Sequence, residues 1–307
     1  MPSPADTVLT LDHLARWSFE GTALAVLGHP VAHSLSPAIH RAALAELSRA
    51  GGDFLHWDYF RFDVPPEQLG EALDRLRTRG FRGLNLTVPH KVLACDLIRE
   101  IAPEAVAFGA VNTLVNTPDG WRGHNTDGYG LATAVREELG STLAGRSVIL
   151  LGAGGAARGA AVECLRRGCA ELWIANRTRA HLDALLARLR PLAGPVPLHG
   201  FDPSSPPPSL GPGALVVNAT AAGLRPDDPP PIDLTRLPRP AGVYDMIYRP
   251  PATALLRQAA ALGVPHANGL TMLVHQGAKS LEIWTGVPAE RTVPAMMRAA
   301  RAAQDQI

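Results

Sequence analysis

Ser147-Val148-Ile149-Leu150-Leu151-Gly152-Ala153-Gly154-Gly155-Ala156-Ala157 runs an apolar, β-prone segment straight into glycines and then alanines. A buried parallel strand reads as such a continuous apolar run. Glycines between a strand and a helix let the backbone approach a pyrophosphate, while the first turn of the helix supplies oriented N–H groups. The competing reading is an ordinary glycine-rich turn. Around this stretch lie a helix from about Leu131 to Leu139, a helix from about Ala156 to Arg167 and a strand from Glu171 to Ala175. A helix from about Ala180 to Arg190 and the buried-strand run Ala214 to Thr220 follow. That alternation predicts a doubly wound, Rossmann-type α/β domain. Sixteen of the 28 prolines fall between Pro191 and Pro251 and read as surface connections, since proline cannot donate within a central strand.

The strand after the glycines ends in Ala175-Asn176-Arg177-Thr178-Arg179. A carboxylate here would hold the ribose 2′-hydroxyl of NAD, and none is present. Arg177, with Arg179 nearby, is placed to neutralise a 2′-phosphate, and Asn176 and Thr178 to add hydrogen bonds. The expected cofactor is NADP, against the alternative of a solvated basic turn.

The first half shows the same alternation. Thr22 to Gly28 reads as a strand ending at His29-Pro30. Ser36 reads as an N-cap, with Pro37 at the first helical position ahead of Ile39, Ala43, Leu44 and Leu47. Phe54 to Phe62 is strand-like, Glu67 to Arg79 helical, and Gly83 to Val88 a strand stopped by Pro89. A polar loop is expected around Gly123 to Gly130, and mainly helix from about Gly269 onward. The N-terminal twenty residues read as an extension or a short helix.

At 307 residues, with about 150 per domain, two domains are expected. Lys and Arg total 29 against 28 Asp and Glu, which argues against a nucleic-acid surface. No apolar stretch is long enough for a spanning helix, so the expectation is a cytoplasmic protein without membrane or nucleic-acid partners. Monomer and homodimer both stay open. Cys95, Cys164 and Cys169 lack metal-site or disulfide spacing and read as small core residues; no metal is expected. Only two of the basic residues are lysines, Lys91 and Lys279. An ammonium can be tuned to lose its proton where a guanidinium cannot, so each is a candidate for acid–base chemistry, against chance survival in an Arg-rich composition.

Four segments collect small polar residues near turns: His33-Ser34-Leu35-Ser36, Asn85-Leu86-Thr87-Val88-Pro89-His90-Lys91, Val111-Asn112-Thr113 and Asn125-Thr126-Asp127. Each alone suits a turn or cap; together they predict a hydroxyl-, amide- and carboxylate-lined pocket. Period two puts Asn85 and Thr87 on one side of a strand. These segments, with Gly28-His29-Pro30, Gly109-Ala110, the glycine loop, Asn176-Arg177-Thr178, Asn218-Ala219-Thr220, Tyr244-Asp245-Met246-Ile247-Tyr248 and Gly269-Leu270-Thr271-Met272-Leu273-Val274-His275-Gln276, resemble the shikimate dehydrogenase family from about Gly21 onward. The chain departs from the family pattern at His29, at Arg41 and at Ala221-Ala222-Gly223-Leu224.

The resemblance implies a substrate-binding and catalytic domain of residues 1–126 and 269–307, with the C-terminal helices packing back on it, and an NADP-binding domain of residues 127–268. It implies that Ser34 and Ser36 hold the substrate carboxylate. Asn85, Thr87, Asn112, Asp127 and Gln276 would bind ring hydroxyls, with Tyr248 nearby, and Lys91 and Asp127 would be the catalytic pair. Gly152, Gly154, Gly155, Ala156, Asn176, Arg177, Thr178, Thr220, Met246 and Gly269 would contact NADP. The implied reaction is reversible reduction of 3-dehydroshikimate, a small-molecule substrate, to shikimate. Quinate or dual quinate/shikimate dehydrogenation and a non-catalytic NADP-binding regulator are the alternatives.

Overall fold

The computed structural model describes residues 7–225 and 227–305. Two compact units comprise Met1–Thr126 with Val274–Ile307, and Asp127–Leu273.

The first unit is built on a seven-stranded sheet. Its strands are β1 (Val8–Leu9), β2 (Thr22–Gly28), β3 (Trp57–Asp63), β4 (Gly83–Leu86), β5 (Glu100–Ile101), β6 (Thr113–Thr117) and β7 (Gly120–His124), in the order β1-β3-β2-β4-β6-β7-β5. β1 to β4 run parallel, while β6 is antiparallel to both β4 and β7. The core sits where Leu27, Phe60, Phe62, Leu69, Leu73, Phe81 and Leu114 meet; full burial of such side chains stabilises by about 1.5–3 kcal/mol each. Trp17 closes its edge with ring centroids 4.8 Å from Phe60 and 5.0 Å from Phe81. The segment before Gly21 thus supplies both an edge strand and a short helix, Leu11–Ala15. Helix Val293–Asp305 packs on helix Ser36–Arg49, and Trp284 of the helix before it donates Nε1–H to the Leu114 carbonyl at 2.9 Å. The C-terminal helices therefore do complete this unit.

The second unit carries β8 (Ser147–Leu151), β9 (Glu171–Ala175), β10 (Leu198–Phe201), β11 (Leu215–Asn218), β12 (Gly242–Asp245) and β13 (His266–Ala267). All are parallel, in the order β10-β9-β8-β11-β12-β13. Both faces of the sheet are covered, so Val148 to Leu151 and Leu215 to Asn218 are buried throughout. This is the doubly wound order in which the chain switches direction between β8 and β11, at the glycine loop.

Four local expectations need correction. Ser36 is the first residue of its helix, and Leu35 occupies the N-cap position without a side-chain cap. Ser34 takes over the local role, its Oγ accepting from the Ser36 N–H at 3.3 Å. Gly123 and His124 belong to β7, and the following helix starts at Asp127, because residues 113–124 pair as a hairpin rather than loop. Pro191 lies inside helix Arg179–Ala193, where Leu189 and Ala193, one turn apart, keep the last turn against the core. Residues 269–273 group with the second unit, because Gly269 N–H donates to the Ile247 carbonyl and Met272 N–H to the Tyr244 hydroxyl.

Candidate functional site

In the first unit β2 has β3 on one side and β4 on the other, so the chain changes direction between the carboxyl ends of β2 and β4. A crevice at such a switch point is where open α/β sheets bind ligands. The loop after β2 carries Ser34 and leads to Ser36 at the helix start, and the turn after β4 carries Thr87 and leads to Lys91 in the next short helix. Main-chain bonds lock them together: His29 N–H donates to the Val88 carbonyl at 3.1 Å and Thr87 N–H to the Leu27 carbonyl at 2.9 Å. Gly28 makes this approach possible, since a Cβ there would stand 2.4 Å from Thr87 Cγ2. β4 ends at Leu86, so Thr87 lies just past it, half-buried, while Asn85 is buried within the strand. Lys91 sits in the short helix His90–Leu93, half-buried, its carbonyl accepting from the Val111 N–H at 2.8 Å.

The departures at His29 and Arg41 have structural partners. Arg41 Nε donates to Asp58 Oδ1 at 2.8 Å and Nη2 to the Tyr59 carbonyl at 2.7 Å, tying helix Ser36–Arg49 to β3. His29 Nδ1 lies 2.5 Å from Asp63 Oδ1, bridging the β2 loop to the end of β3.

Asn85 and Asn112 belong to a buried polar network that the motifs do not reveal as a unit. Asn112 Nδ2 donates to Thr126 Oγ1 at 2.9 Å and to Gln276 Oε1 at 3.1 Å, while Asn112 Oδ1 accepts from the Thr126 N–H at 2.9 Å. Asn85 joins through Thr113 and Ser280, and the Tyr59 hydroxyl donates to Asn85 Oδ1 at 2.7 Å. Burial holds the Tyr59 phenol well above its ordinary pKa, so it stays a neutral donor. Thr113, Thr126, Ser280 and Tyr59 are buried members of this network to which the motifs assign no role; only the one-turn spacing of Ser280 from Gln276 marks it in the sequence.

In the second unit a cavity of about 600 Å³ is lined by Gly152, Gly154, Asn176, Arg177, Thr220 and Arg225 among others. Gly152 has φ +109°, a conformation that disfavours side chains, and turns β8 into helix Gly155–Arg166. An added Cβ at Gly154 or Gly155 meets no atom within 4 Å, so the mouth of the loop is an open cradle at the helix N-terminus. Arg177 is exposed and its side chain has no ion-pair partner among the described residues. Arg179 by contrast is paired with Asp183 at 2.9 Å. Asn176 Nδ2 donates to the Thr178 carbonyl at 2.9 Å, shaping the turn on which Arg177 sits. The Asn218 carboxamide fixes Thr220 through Oδ1, which accepts from Thr220 N–H at 3.0 Å and Oγ1–H at 2.8 Å, and its Nδ2 donates to buried Asp245 at 2.9 Å. Burial raises the Asp245 carboxyl above its ordinary pKa. A glycine cradle, free helix N–H groups and an available guanidinium are the donor set an adenine dinucleotide 2′-phosphate requires.

Of the residues predicted from sequence, Ser34, Ser36, Asn85, Thr87, Lys91, Asn112 and Gln276 belong to the first unit. Asp127, Tyr248, Met246, Gly269 and the other nucleotide-loop residues belong to the second. Asp127 opens helix Asp127–Leu139, immediately after Thr126. Tyr248 is half-buried, and burial raises its phenol pKa.

The family model of the shikimate dehydrogenase substrate binding domain matches residues 26–114, and that of the shikimate 5′-dehydrogenase C-terminal domain matches residues 269–301. A shikimate dehydrogenase (NADP(+)) of Symbiobacterium thermophilum is 45% identical over 270 residues, covering 87% of this chain and 90% of the relative. This chain belongs to the shikimate dehydrogenase family. The shikimate 5-dehydrogenase of Thermus thermophilus, solved in complex with NADP(H) and shikimate, matches with a TM-score of 0.79 and 37% identity, over 92% of this chain and 99% of that one. The ligand-free 5-ketofructose reductase of a Gluconobacter species matches with a TM-score of 0.78 and 31% identity, over 92% and 99%. Shikimate dehydrogenase architecture is thus shared with a protein named for a different substrate, so specificity has to be argued from side chains. No helix among the described residues is long and apolar enough to cross a membrane.

Proposed function

We infer that this chain is an NADP-dependent oxidoreductase that reversibly reduces 3-dehydroshikimate to shikimate, in the shikimate pathway of aromatic amino-acid biosynthesis. The observation that carries this reading is the convergence of the serine loop and the Thr87–Lys91 turn at the strand switch point of the first unit, locked by the His29–Val88 and Thr87–Leu27 main-chain bonds.

Each residue then has a physical task. The Ser34 hydroxyl accepts from the Ser36 N–H, which leaves its own proton to donate to the substrate carboxylate. Asn85, Thr87, Asn112 and Gln276 surround the ring hydroxyls, and Tyr248 presents a neutral phenol. NADPH, held by the glycine cradle and Arg177, with Thr220, Met246 and Gly269 at the same end of the sheet, supplies a hydride at its nicotinamide C4 when bound. Lys91 Nζ donates a hydrogen bond to the oxygen on substrate C3 and passes it a proton as that oxygen becomes an alkoxide. In the oxidising direction the neutral amine takes the proton back. Asp127 orients the reacting groups as the partner carboxylate.

The test is an initial-rate assay by cofactor absorbance with shikimate or quinate paired with NADP or NAD. The expected result is preference for shikimate with NADP. Preference for quinate would overturn the serine-loop argument, and preference for NAD the Arg177 argument.

A further inference from the structure

Asn85 sits in the middle of the first sheet, paired with Val26 on one side and Thr113 on the other, and is only 5% exposed. Which end of its carboxamide faces a ligand is decided by its neighbours. Nδ2 lies 3.0 Å from the Asn112 carbonyl, which can only accept, and so must be the NH2 end. Its second proton is taken by Ser280 Oγ at 3.0 Å or Thr113 Oγ1 at 3.2 Å. The Tyr59 hydroxyl, wholly buried and stacked against His40 with ring centroids 4.1 Å apart, puts its proton on Oδ1. The donors of Asn85 are therefore consumed within the protein, and one lone pair of Oδ1 is what the group has left to offer.

Ser280 is the hub on the C-terminal helix side. Its hydroxyl donates to the Gln276 carbonyl one turn back at 2.9 Å, lies 2.7 Å from Thr113 Oγ1 and 3.2 Å from Thr126 Oγ1, and accepts from Asn85. It ties the helix bearing Gln276 to the strand bearing Asn85.

We propose that Ser280 and Tyr59 are positioning residues of the substrate site: with the NH2 end fixed by the Asn112 carbonyl, they grip the Asn85 carboxamide from opposite ends, hold it as an acceptor and so select a substrate that presents a ring O–H to it. The proposal rests on the shikimate reading given above. A ligand lacking that hydroxyl, or carrying a group that can only accept there, gains nothing from the arrangement.

The test is steady-state kinetics of Ser280→Ala, Ser280→Thr and Tyr59→Phe with shikimate and with analogues lacking one ring hydroxyl at a time. Ser280→Ala is expected to raise KM for shikimate about three- to tenfold, the loss of one hydrogen bond, with kcat and KM for NADP little changed. Ser280→Thr should restore most of it. The decisive readout is the analogue series: the Ser280→Ala penalty should vanish for the one analogue missing the hydroxyl that Asn85 accepts. Tyr59→Phe should repeat that pattern and serves if Ser280→Ala does not fold. An equal penalty across all analogues, or a parallel rise in KM for NADP, would overturn the proposal while leaving the shikimate reading intact. Inactivity of the wild-type enzyme on shikimate would remove both.

Discussion

Asn112 Oδ1 accepts the backbone N–H of Thr126 at 2.9 Å, so a side chain just before β6 fixes the residue directly before Asp127. The same carboxamide reaches Thr126 Oγ1 and Gln276 Oε1, and Asn112 is 1% exposed. Replacing it strands several buried polar groups at once.

Asn112→Ala should therefore cost stability and turnover together. Leaving buried groups without partners costs about 1–3 kcal/mol each, so a loss of about 3 kcal/mol in urea unfolding is expected, with kcat falling because the main chain entering Asp127 is released. A variant of wild-type stability would show that Thr126 finds another acceptor.

Lys91→Ala should lower kcat by at least about a hundredfold, the usual contribution of a positioned proton donor, with a smaller change in KM. Lys91→Arg should not rescue it, because a guanidinium holds its proton throughout the working range. Substantial activity in Lys91→Arg would reduce the role of Lys91 to electrostatic support.

Arg177→Ala should weaken NADP binding about tenfold to a hundredfold, as expected for charge-assisted bonds to a phosphate, and leave NAD binding close to wild type. Fluorescence titration with both cofactors gives the answer. Equal weakening of both would place the guanidinium on the diphosphate instead.

The second unit is largely legible in the sequence because its signals are local. An apolar run into Gly152-Ala153-Gly154-Gly155, and a strand ending in Asn176-Arg177 without a carboxylate, each state their geometry over a short stretch of chain. The first unit is legible in its strands and in the loops at their carboxyl ends. The hairpin at 113–124 escapes a reading by motif, although Pro118-Asp119-Gly120 is a turn sequence. Tyr59 is not legible at all and Ser280 only by its one-turn spacing from Gln276, since their meaning lies in contacts to Asn85 across 26 and 195 positions, which no periodicity encodes. The helix start is ambiguous because Ser34 and Ser36 are both good cap residues two apart, and the backbone puts Leu35, between them, at the N-cap position.

His40 gives a pH signature independent of catalysis. It is wholly buried, stacked on Tyr59, and its Nδ1 lies 2.8 Å from the Ser36 carbonyl; burial lowers its pKa from the ordinary 6.5 to about 4. Between those values the unfolded chain takes up a proton that the folded chain refuses. Stability from this group is therefore complete above about pH 6.5 and is lost as the pH falls towards 4, to a total of about 3 kcal/mol. Buried His90 is shifted in the same direction, and Asp245, whose pKa is raised, works against both. The raw profile thus mixes several groups, and the informative quantity is the difference between wild type and His40→Asn, whose Nδ2 can keep the bond to the Ser36 carbonyl without titrating. In urea unfolding at a series of pH values, His40→Asn should be less stable than wild type near neutrality, with the gap closing steadily from pH 6.5 to 4. A gap that stays constant across that window would mean that His40 titrates alike in the folded and unfolded chains.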